Sequence, residues 1–537
     1  MALLSPLDVL RTYRSHDQTL DDAFESRMPG NARPFVVFRN QDWSRPRFRE
    51  AYLATAALLL ARGVRHGDRV GIIARNHVGH VLLLFACARI GAIMVPANPD
   101  LKAGEVGYIF QHAGVSGVLC DESLLPLVHE ACAPIAPVPW VLTLDAQQDG
   151  TAGLLELIEA HAATEQLPPP ARADDTCVII YTSGTTGFPK GAMHSQLAFV
   201  ASGEANVARL WLQPEDRLLT VLPLFHINAL FYSLAGTLAA GATIFVAPRF
   251  SASGFWQLAV DSQATQVNLI LSLGLILRER PRSEFRPEHR IRVVYGARPE
   301  DEACFRDEFG ISNLVNGFGM TEIPGIICNP YDGERKFGSL GPVGNHPDPA
   351  RPWAECRIVD DHGNDLPADQ VGELWVKHPI VMRGYFRDPE QTQASFEGPW
   401  FKTGDLMRRD ADGYFYFVTR KKDIIRRRGE NIAGAEIDRV LGQHPDVLEA
   451  AAVPVPSEVA DEEILAVIQL RPGAAPSAQA IAQWCAERLS AMKVPRFVLF
   501  VDELPYTPTF KVAKHVLKAD PTLRSRAIDL QPPLSRP

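Results

Sequence analysis

The stretch Tyr181-Thr-Ser-Gly-Thr-Thr-Gly-Phe-Pro-Lys-Gly191 brings small, hydroxylated and cationic side chains together at one point of the chain. It follows the apolar run Val178-Ile-Ile180 and precedes a helix-compatible segment, residues 193–200, so the pattern predicts strand, loop and helix. Loop amides near the start of a helix, assisted by hydroxyl donors, form a favourable site for phosphate groups. A flexible surface linker does not need Tyr, Pro and Lys at fixed places, and we therefore interpret this loop as a phosphate cradle.

The loop is not a P-loop of the GxxxxGK[ST] type. Counted from Gly184, Pro189 occupies the second glycine position, and Gly191 stands where a Ser or Thr should bind magnesium. The phosphate site that we predict must therefore belong to another class of nucleotide-binding protein.

Bulk properties exclude several classes of protein. The chain has 537 residues, 46% of them apolar, and a net charge of -9, which argues against general nucleic-acid binding. Its eight cysteines are scattered without CxxC pairs, which indicates neither a disulfide framework nor a zinc site. The longest apolar run, residues 81–88, is far shorter than the roughly 20 residues of a membrane helix, and no basic leader precedes an apolar stretch at the N-terminus. We expect a cytoplasmic protein with no membrane span.

Helical and strand patterns alternate through the first part of the chain. The predicted elements are a helix over residues 47–63, a strand over 69–73, a helix over 77–90, a strand over 92–95, a helix over 105–112 and a strand over 115–119. Such alternation indicates a layered α/β architecture with largely parallel strands.

The pattern changes after Asp405, where an aromatic, β-rich run covers residues 412–418. Beyond Arg420 the predicted elements are a helix over residues 435–441, strands over 448–453 and 463–470, a helix over 478–489 and a strand over 496–500. This spacing predicts a separate α+β domain of about 115 residues.

Four further segments accompany the loop in a fixed order: Leu222-Pro-Leu-Phe-His226, Asn316-Gly-Phe-Gly-Met-Thr-Glu322, Trp400-Phe-Lys-Thr-Gly-Asp405 and Arg420-Lys-Lys-Asp-Ile-Ile-Arg-Arg-Arg-Gly-Glu-Asn431. With Lys511 near the end, they resemble the adenylate-forming superfamily of acyl-CoA synthetases, aryl-CoA ligases, luciferases and peptide-synthetase adenylation domains. The resemblance spans nearly the whole chain. Residues 225–228, 316–322 and 429–431 most resemble carnitine/crotonobetaine-type and fatty-acid-type CoA ligases.

The resemblance implies the domain organisation. A large layered α/β domain, residues 1–421, is expected to bind ATP and the acyl group. A small mobile α+β domain, residues 422–537, is expected to act as a lid that pivots at Lys422.

The resemblance also implies the reaction. A carboxylate is a poor acyl donor, because its charge repels nucleophiles and oxide is a poor leaving group. ATP-dependent conversion to an acyl-adenylate, with release of pyrophosphate, replaces oxide with AMP, and transfer to the coenzyme A thiol then gives acyl-CoA. The implied cofactors and substrates are ATP, Mg²⁺, CoA and a small carboxylic acid.

The resemblance implies a role for each residue that matches one of the superfamily's motifs. The residues assigned to ATP are Thr182, Ser183, Gly184, Thr185, Thr186 and Lys190 for the β- and γ-phosphates, Gly296, Ala297, Phe318 and Gly319 for the adenine side, and Asp405 and Arg420 for the ribose and the domain junction. Thr321 and Glu322 match positions that contact the α-phosphate and bind Mg²⁺, and a carboxylate oxygen suits this hard cation. Outside such a motif, a Thr-Glu pair is typical of a helix cap.

Lys511 matches the lysine that neutralises charge where the carboxylate and the α-phosphate approach each other. Phe510 replaces the usual glycine before it, so Lys514 remains an alternative. His226 is assigned to the mouth of the acyl pocket, with a catalytic or a packing role. Further residues assigned to the acyl pocket are Asn228, Tyr232, Ser272, Gly274, Tyr295 and Gly317, and those assigned to the CoA tunnel or a second acceptor are Arg428, Gly429 and Glu430.

Other functions remain open at this point. An amide ligase, which couples the activated acid to an amine, would share every ATP-site residue. A non-catalytic acyl-nucleotide binding protein would be expected to lack Glu322 or Lys511, and both are present. The sequence does not identify the acid, the role of Arg298 or of the arginines at 426–428, or the oligomeric state, for which a homodimer is one option.

Overall fold

The computed structural model describes residues 3–160, 167–182, 189–351, 353–427, 430–457, 462–507 and 512–530. Contacts divide the chain into two compact units. The first comprises Met1–Glu355 and Lys377–Phe401, and the second comprises Cys356–Val376 and Lys402–Pro537.

The elements up to the hairpin at residues 317–328 are α1 (Pro6–Arg11), α2 (Leu20–Ser26), β1 (Pro34–Phe38), β2 (Gln41–Ser44), α3 (Arg45–Ala61), β3 (Arg69–Ile73), α4 (Val78–Ile90), β4 (Ile93–Ala97), α5 (Ala103–Ala113), β5 (Val115–Cys120), α6 (Leu125–Cys132), β6 (Trp140–Thr143), α7 (Leu154–Ala160), β7 (Thr176–Thr182), β8 (Lys190–Ser195), α8 (Gln196–Leu210), β9 (Arg217–Thr220), α9 (Ala235–Ala240), β10 (Thr243–Val246), α10 (Phe255–Asp261), β11 (Gln266–Asn268), α11 (Leu271–Glu279), β12 (Val293–Tyr295), α12 (Glu302–Asp307), β13 (Asn313–Val315), β14 (Gly317–Met320) and β15 (Ile323–Cys328).

The later elements are β16 (Glu355–Val359), β17 (Val371–Lys377), α13 (Pro389–Ala394), β18 (Phe396–Glu397), β19 (Trp400–Arg409), β20 (Phe415–Arg420), β21 (Ile424–Arg427), β22 (Glu430–Ala433), α14 (Gly434–Gly442), β23 (Val447–Pro456), β24 (Glu462–Leu470), α15 (Ala478–Ala486), β25 (Phe497–Val501), α16 (Lys514–Ala519), α17 (Leu523–Arg526) and β26 (Ile528–Asp529).

Two large sheets form the framework of the first unit. The seven-stranded sheet has the order β13-β12-β11-β9-β10-β1-β2, and the six-stranded sheet has the order β6-β5-β3-β4-β7-β8. Neighbouring strands are parallel except at β1–β2 and β7–β8. This confirms the α/β class and the largely parallel strands expected from the alternating sequence pattern.

Helix α4 lies in the main hydrophobic core. Every residue of α4 except Arg89 is buried, as expected for a helix that is apolar on all sides. The same core contains Val70 of β3, Val178 of β7 and Ile244 of β10, which belong to both large sheets. The helix therefore contributes to holding the two sheets together.

The sequence expectation differs from the structure after the phosphate loop. Residues 190–195 form strand β8, antiparallel to β7, and helix α8 begins only at Gln196, capped by Ser195. The helix predicted over residues 193–200 was therefore wrong in its first three residues. Strand pairing on β7 overrides the local helical pattern there.

The second unit is built from smaller pieces. Strands β16, β17, β19 and β20 pair within one sheet, β21 and β22 form a hairpin, and β23-β24-β25-β26 form a four-stranded sheet. Helices α14 and α15 contribute Ile437 and Ile481 to the core under this last sheet. Among the described helices, none combines the length and the apolar character that crossing a membrane requires.

Candidate functional site

The predicted phosphate loop connects two antiparallel strands. Thr182 ends β7 and Lys190 begins β8, and these two residues are partners in the strand register. Ser183, Gly184, Thr185 and Thr186, which share the predicted phosphate-binding role, lie outside the described residues. The Lys190 ammonium donates a hydrogen bond of 2.5 Å to Gln391 Oε1. Strand pairing thus fixes both ends of the loop, and a cation stands at its exit.

Thr321 and Glu322 form the turn between β14 and β15, where Met320 pairs with Ile323. The Thr321 carbonyl accepts a hydrogen bond of 2.7 Å from Nε2 of His194, a residue of β8. Burial lowers the pKa of His194 to about 4, so the ring is neutral near pH 7 and carries its proton on Nε2. This bond links the turn to the strand that leaves the phosphate loop.

The Glu322 carboxylate is buried, with 7% of its surface exposed. Its Oε1 accepts a hydrogen bond of 2.7 Å from the Tyr385 hydroxyl. Burial, followed by the charge of Glu322, raises the pKa of Tyr385, so the phenol stays protonated and donates. The Lys190 ammonium lies 5.6 Å from the centre of the Tyr385 ring. Tyr385 therefore interacts both with the carboxylate of Glu322 and with the ammonium of Lys190.

The segment that carries Tyr385 is held against β8. Met193 donates from its amide to the Gly384 carbonyl at 3.0 Å, and Phe386 donates to the Gly191 carbonyl at 2.8 Å. The Tyr385 amide donates to Thr392 Oγ1 at 2.9 Å. These bonds fix the position of the phenol relative to the phosphate-loop strand.

The donor set fits a magnesium ion that is held mainly by phosphate oxygens. Mg²⁺ is commonly bound by one or two carboxylates together with substrate phosphates. Oε2 of Glu322 makes no hydrogen bond within the part of the chain that the structure describes, whereas Oε1 is oriented by Tyr385. That same part contains no group of three or more His, Cys, Asp and Glu residues that could hold a metal ion by itself.

The residues predicted to face adenine follow two neighbouring parallel strands. Tyr295, the last residue of β12, pairs with Val315, the last residue of β13. Gly296 and Ala297 follow β12, and Phe318 lies in β14, directly after β13. Crevices at the carboxyl ends of parallel strands are the usual place for ligands in α/β sheets. Gly296 has a φ of +92°, and a Cβ at this position would overlap the Leu269 carbonyl oxygen.

Four of the residues assigned to the acyl pocket lie together or share neighbours. The Tyr232 and Tyr295 rings have centroids 5.5 Å apart. A Cβ on Gly317 would lie 2.9 Å from the Tyr295 hydroxyl oxygen. Asn228 begins the π-helical segment Asn228–Leu234 that carries Tyr232, and its side chain accepts a hydrogen bond of 3.2 Å from Asn268.

The structure gives individual contacts for the other residues assigned to the acyl pocket. Gly274 of α11 faces Ala297. A Cβ atom added to Gly274 would lie 3.3 Å from the Cβ of Ala297. Ser272 is buried, and its hydroxyl has no hydrogen-bond partner among the described residues. The His226 amide donates to the Pro223 carbonyl at 3.0 Å, and its ring lies beside Phe225.

In the second unit, strand pairing brings Asp405 and Arg420 together. They are register partners in β19 and β20, and Asp405 Oδ1 lies 3.5 Å from Arg420 Nε. The Asp405 carboxylate is buried, and its amide donates to Thr403 Oγ1 at 3.1 Å. The preceding Gly404 has a φ of +71°, a conformation that favours glycine.

The remaining assigned residues lie at or near the predicted hinge and lid. The Lys422 carbonyl accepts a hydrogen bond of 3.1 Å from the Lys518 ammonium, and Glu430 begins β22. Lys511, Arg428 and Gly429 lie outside the described residues. The Lys514 ammonium donates to Asp438 and to the Ala452 carbonyl.

Two neighbours of the Thr321–Glu322 turn were not predicted from the sequence. Tyr385 is separated from Glu322 by 63 positions, and His194 is separated from Thr321 by 127 positions. The only sequence signal was a glycine followed by two aromatic residues in Gly384-Tyr-Phe386, which by itself indicates a turn.

Comparison with known proteins gives matches along most of the chain. Residues 25–386 match the family model of the AMP-binding enzymes, and residues 436–511 match the model of the AMP-binding enzyme C-terminal domain. A sulfoacetate–CoA ligase from Cupriavidus necator is 35% identical over 86% of this chain and 90% of its own length. A crotonobetaine/carnitine–CoA ligase from Salmonella paratyphi C is 31% identical over the same shares.

A solved structure is similar over almost the same extent. It is the anthranilate CoA ligase AuaEII in complex with anthranoyl-AMP, with a TM-score of 0.85 and 25% identity over 93% of this chain and 96% of the other. The fold, the order of the motifs and these matches agree with the resemblance noted in the sequence. The chain belongs to the AMP-binding enzyme family, within the adenylate-forming superfamily.

Proposed function

We propose that this enzyme activates a carboxylic acid with ATP and transfers the acyl group to the thiol of coenzyme A. In the first step a carboxylate oxygen attacks the α-phosphorus of ATP, the bond from this phosphorus to the bridging oxygen breaks, and pyrophosphate leaves. In the second step the thiol loses its proton, its sulfur attacks the acyl carbonyl carbon, and AMP leaves. The names of the relatives, both of them CoA ligases, support the thiol as acceptor.

The observation that carries the proposal is the arrangement around the Thr321–Glu322 turn. A carboxylate oriented by Tyr385 lies next to the strand that leaves the predicted phosphate loop, and the Lys190 ammonium lies 5.6 Å from the centre of the Tyr385 ring. Such an arrangement suits a triphosphate with its magnesium ion, because the ion and the lysine both neutralise phosphate charge. When bound, the ion would make the α-phosphorus more electrophilic.

The individual roles are proposals that follow the motifs. We assign Thr182 to Thr186 and Lys190 to the outer phosphates, Thr321 to the α-phosphate and Asp405 to the ribose hydroxyls. Two acceptor oxygens of one carboxylate suit a vicinal diol. Lys511 is the proposed adenylation lysine, and the engagement of the Lys514 ammonium by Asp438 favours it over Lys514. For the residues assigned to adenine, to the acyl chain and to the acceptor, we propose the roles that the motifs imply.

A panel of carboxylic acids tests this function. Purified enzyme, ATP and Mg²⁺ are incubated with each acid, and pyrophosphate release is measured with CoA, with an amine or with neither. We expect acid-dependent pyrophosphate release and, with CoA, a thioester and AMP in equal amounts by mass spectrometry. An amide in place of the thioester would identify an amide ligase, and no release with any acid would overturn the proposal.

We also propose that the protein is cytoplasmic. A homodimer is a second proposal, which a measurement of molecular mass can test. ATP, CoA and reduced thiols belong to that compartment, and seven of the eight cysteines are buried without disulfide partners in the structure. Light scattering at several protein concentrations would distinguish a monomer from a dimer.

A further inference from the structure

The Lys190 ammonium has a neutral hydrogen-bond partner, the side-chain amide of Gln391. The ammonium donates to Gln391 Oε1 at 2.5 Å, although 201 positions separate the two residues. An ammonium group has donors only, so the amide must present its oxygen to Lys190. The nitrogen of the same amide, Nε2, donates to Ser395 Oγ at 3.1 Å, four residues later. Both ends of the amide are therefore engaged, and its orientation is fixed.

Helix α13 fixes the position of Gln391 and also supports Tyr385. Asp388 caps the helix, and its Oδ1 accepts a hydrogen bond of 3.0 Å from the Gln391 amide nitrogen of the main chain. Thr392 Oγ1 accepts from the Tyr385 main-chain amide at 2.9 Å and donates to the Asp388 carbonyl at 2.8 Å. One helix thus holds both groups that contact Lys190, the amide of Gln391 and the aromatic ring of Tyr385.

The positive charge of Lys190 and the negative charge of Glu322 are kept apart by neutral groups. The Tyr385 hydroxyl donates to Glu322, and the ring of the same residue faces the Lys190 ammonium. No carboxylate of the described residues forms an ion pair with Lys190. Several other lysines do pair with a carboxylate, namely Lys377, Lys421, Lys493, Lys514 and Lys518.

A neutral partner has a different electrostatic effect from a carboxylate. A carboxylate would orient the ammonium but would also cancel most of its charge, and it would repel an incoming phosphate. An amide oxygen orients the ammonium and leaves its net charge in place. Because an ammonium carries three donors, one bond to Gln391 leaves two for other acceptors. The arrangement is therefore preorganised for an anion.

We propose that Gln391 is a positioning residue that holds the Lys190 ammonium with a neutral acceptor, so that its full charge is available to the outer phosphates of ATP. The inference rests on the proposed function, because Lys190 is assigned there to the β- and γ-phosphates. It follows that the charge of the side chain at position 391 controls the affinity for these phosphates and leaves the affinity for the nucleoside unchanged.

The test measures nucleotide affinity in the absence of any acid. Isothermal titration calorimetry gives Kd for ATP with Mg²⁺ and, separately, Kd for AMP. AMP lacks the β- and γ-phosphates, so an effect that acts through Lys190 should appear with ATP and not with AMP. A general distortion of the site would weaken both nucleotides.

Two variants separate the charge at position 391 from the hydrogen bond. Gln391→Glu keeps the size of the side chain, and Glu is favoured at this third position of a helix, so the fold should be retained. We expect Kd for ATP to rise by about tenfold, because the carboxylate neutralises Lys190, and Kd for AMP to stay within about twofold. Gln391→Leu removes the acceptor without adding charge and should raise Kd for ATP by only about threefold.

Gln393→Glu is the matched control. It adds the same charge to the same helix, but Gln393 is exposed and has no hydrogen bond to Lys190. Because solvent and salt screen an exposed charge, Kd for ATP should stay within about twofold of the wild type.

The outcomes separate this inference from the proposed function. An unchanged Kd for ATP in Gln391→Glu, folded by its melting temperature, overturns the inference, and so does an equal loss of ATP and AMP binding. Equal losses of ATP binding in Gln391→Glu and Gln391→Leu also overturn it, because charge would then have no effect. A wild type that binds both nucleotides but releases no pyrophosphate with any acid overturns the proposed function alone. A wild type that binds neither nucleotide overturns both.

Discussion

At the scale of single residues, the contact between Tyr385 and Glu322 decides what the carboxylate can do. The phenol donates to one oxygen and fixes the side chain, while burial keeps water from screening its charge. A carboxylate held in this way has one oxygen left for a cation. We therefore regard Tyr385 as a positioning residue for Glu322, the proposed metal ligand.

Substitution of Glu322 separates charge from shape. Glu322→Gln can still accept the Tyr385 hydrogen bond but loses its charge, so we expect adenylate formation to fall by about a hundredfold or more. Tyr385→Phe should keep more activity and raise the Mg²⁺ concentration at half-maximal rate, because the carboxylate loses its orientation. Pyrophosphate release against Mg²⁺ concentration measures both effects. A wild-type rate for Glu322→Gln at limiting Mg²⁺ would remove Glu322 from the metal site.

The two lysines near the end of the chain make opposite predictions. Lys511→Ala should reduce adenylate formation by about a hundredfold, with a much smaller effect on the reaction of supplied acyl-adenylate with CoA, because its charge is needed only when two anions approach. Lys514→Ala removes a partner of Asp438 and should lower the melting temperature instead. The reverse pattern would assign the adenylation role to Lys514.

The sequence predicted those site residues that lie in contiguous motifs. Thr321, Glu322 and Lys190 each stand in such a motif. Tyr385 and His194 do not, and their contacts depend on how distant strands pair. Local sequence cannot predict that Tyr385 and Glu322, 63 positions apart, form a hydrogen bond.

At the scale of secondary structure elements, strand β8 shows how tertiary pairing overrides a local pattern. Its residues pair with β7 on one side, and Met193 bonds to Gly384 on the other. Hydrogen-bonding partners on both sides favour the extended form through Ser195. By contrast, α4 was predicted within one residue, because its long apolar run ends at Gly91 and the local pattern leaves little ambiguity.

Helix α4 carries a buried histidine that makes stability depend on pH. Both ring nitrogens of His80 are buried without a hydrogen-bond partner in the described part of the chain. Burial lowers the pKa of His80 to about 3, whereas an unfolded histidine has a pKa of about 6.5. Below pH 6.5 the unfolded chain binds a proton that the folded chain does not, so stability falls as the pH decreases towards 3.

We therefore expect His80→Leu to reduce the acid sensitivity of the fold. Each pH unit in this window contributes about 1.4 kcal/mol, so the wild type should lose roughly 2 kcal/mol more than the variant between pH 6.5 and 5. Denaturant unfolding at several pH values measures the difference. His129→Leu, which removes an exposed histidine, is the matched control. Equal acid sensitivity of His80→Leu and wild type would show that His80 does not set it.

At the scale of the whole molecule, alternation of elements predicted the layered α/β architecture but not the sheet order. Strands β1 and β10 are neighbours although more than 200 residues separate them. The compact second unit also includes Cys356–Val376, and strand β17 of this segment pairs with β19, Trp400–Arg409. The boundary between residues 421 and 422 stays a prediction, which the hinge hypothesis makes testable.

The two half-reactions have different requirements. In the proposed reaction, adenylation would require Lys511 close to the α-phosphate, whereas thioester formation would require that pyrophosphate has left and that a path is open for the long pantetheine arm. A rotation of the lid domain at Lys422 would satisfy both in turn, as conformational steps do in many enzymes. Lys422 lies in the short turn Lys421–Asp423 that follows β20, and its carbonyl accepts from Lys518.

We expect Lys422→Pro to separate the two steps. Proline fixes φ and removes the amide donor, which restricts rotation at this position without removing a proposed ATP ligand. Acid-dependent exchange of labelled pyrophosphate into ATP should stay within about threefold of the wild type, while thioester formation should fall by about tenfold or more. Lys422→Ala, which removes the same side chain but leaves the backbone free, should retain both steps. Equal loss of the two steps in folded Lys422→Pro would place the hinge elsewhere, because a restriction at the true hinge must act on the step that requires the movement.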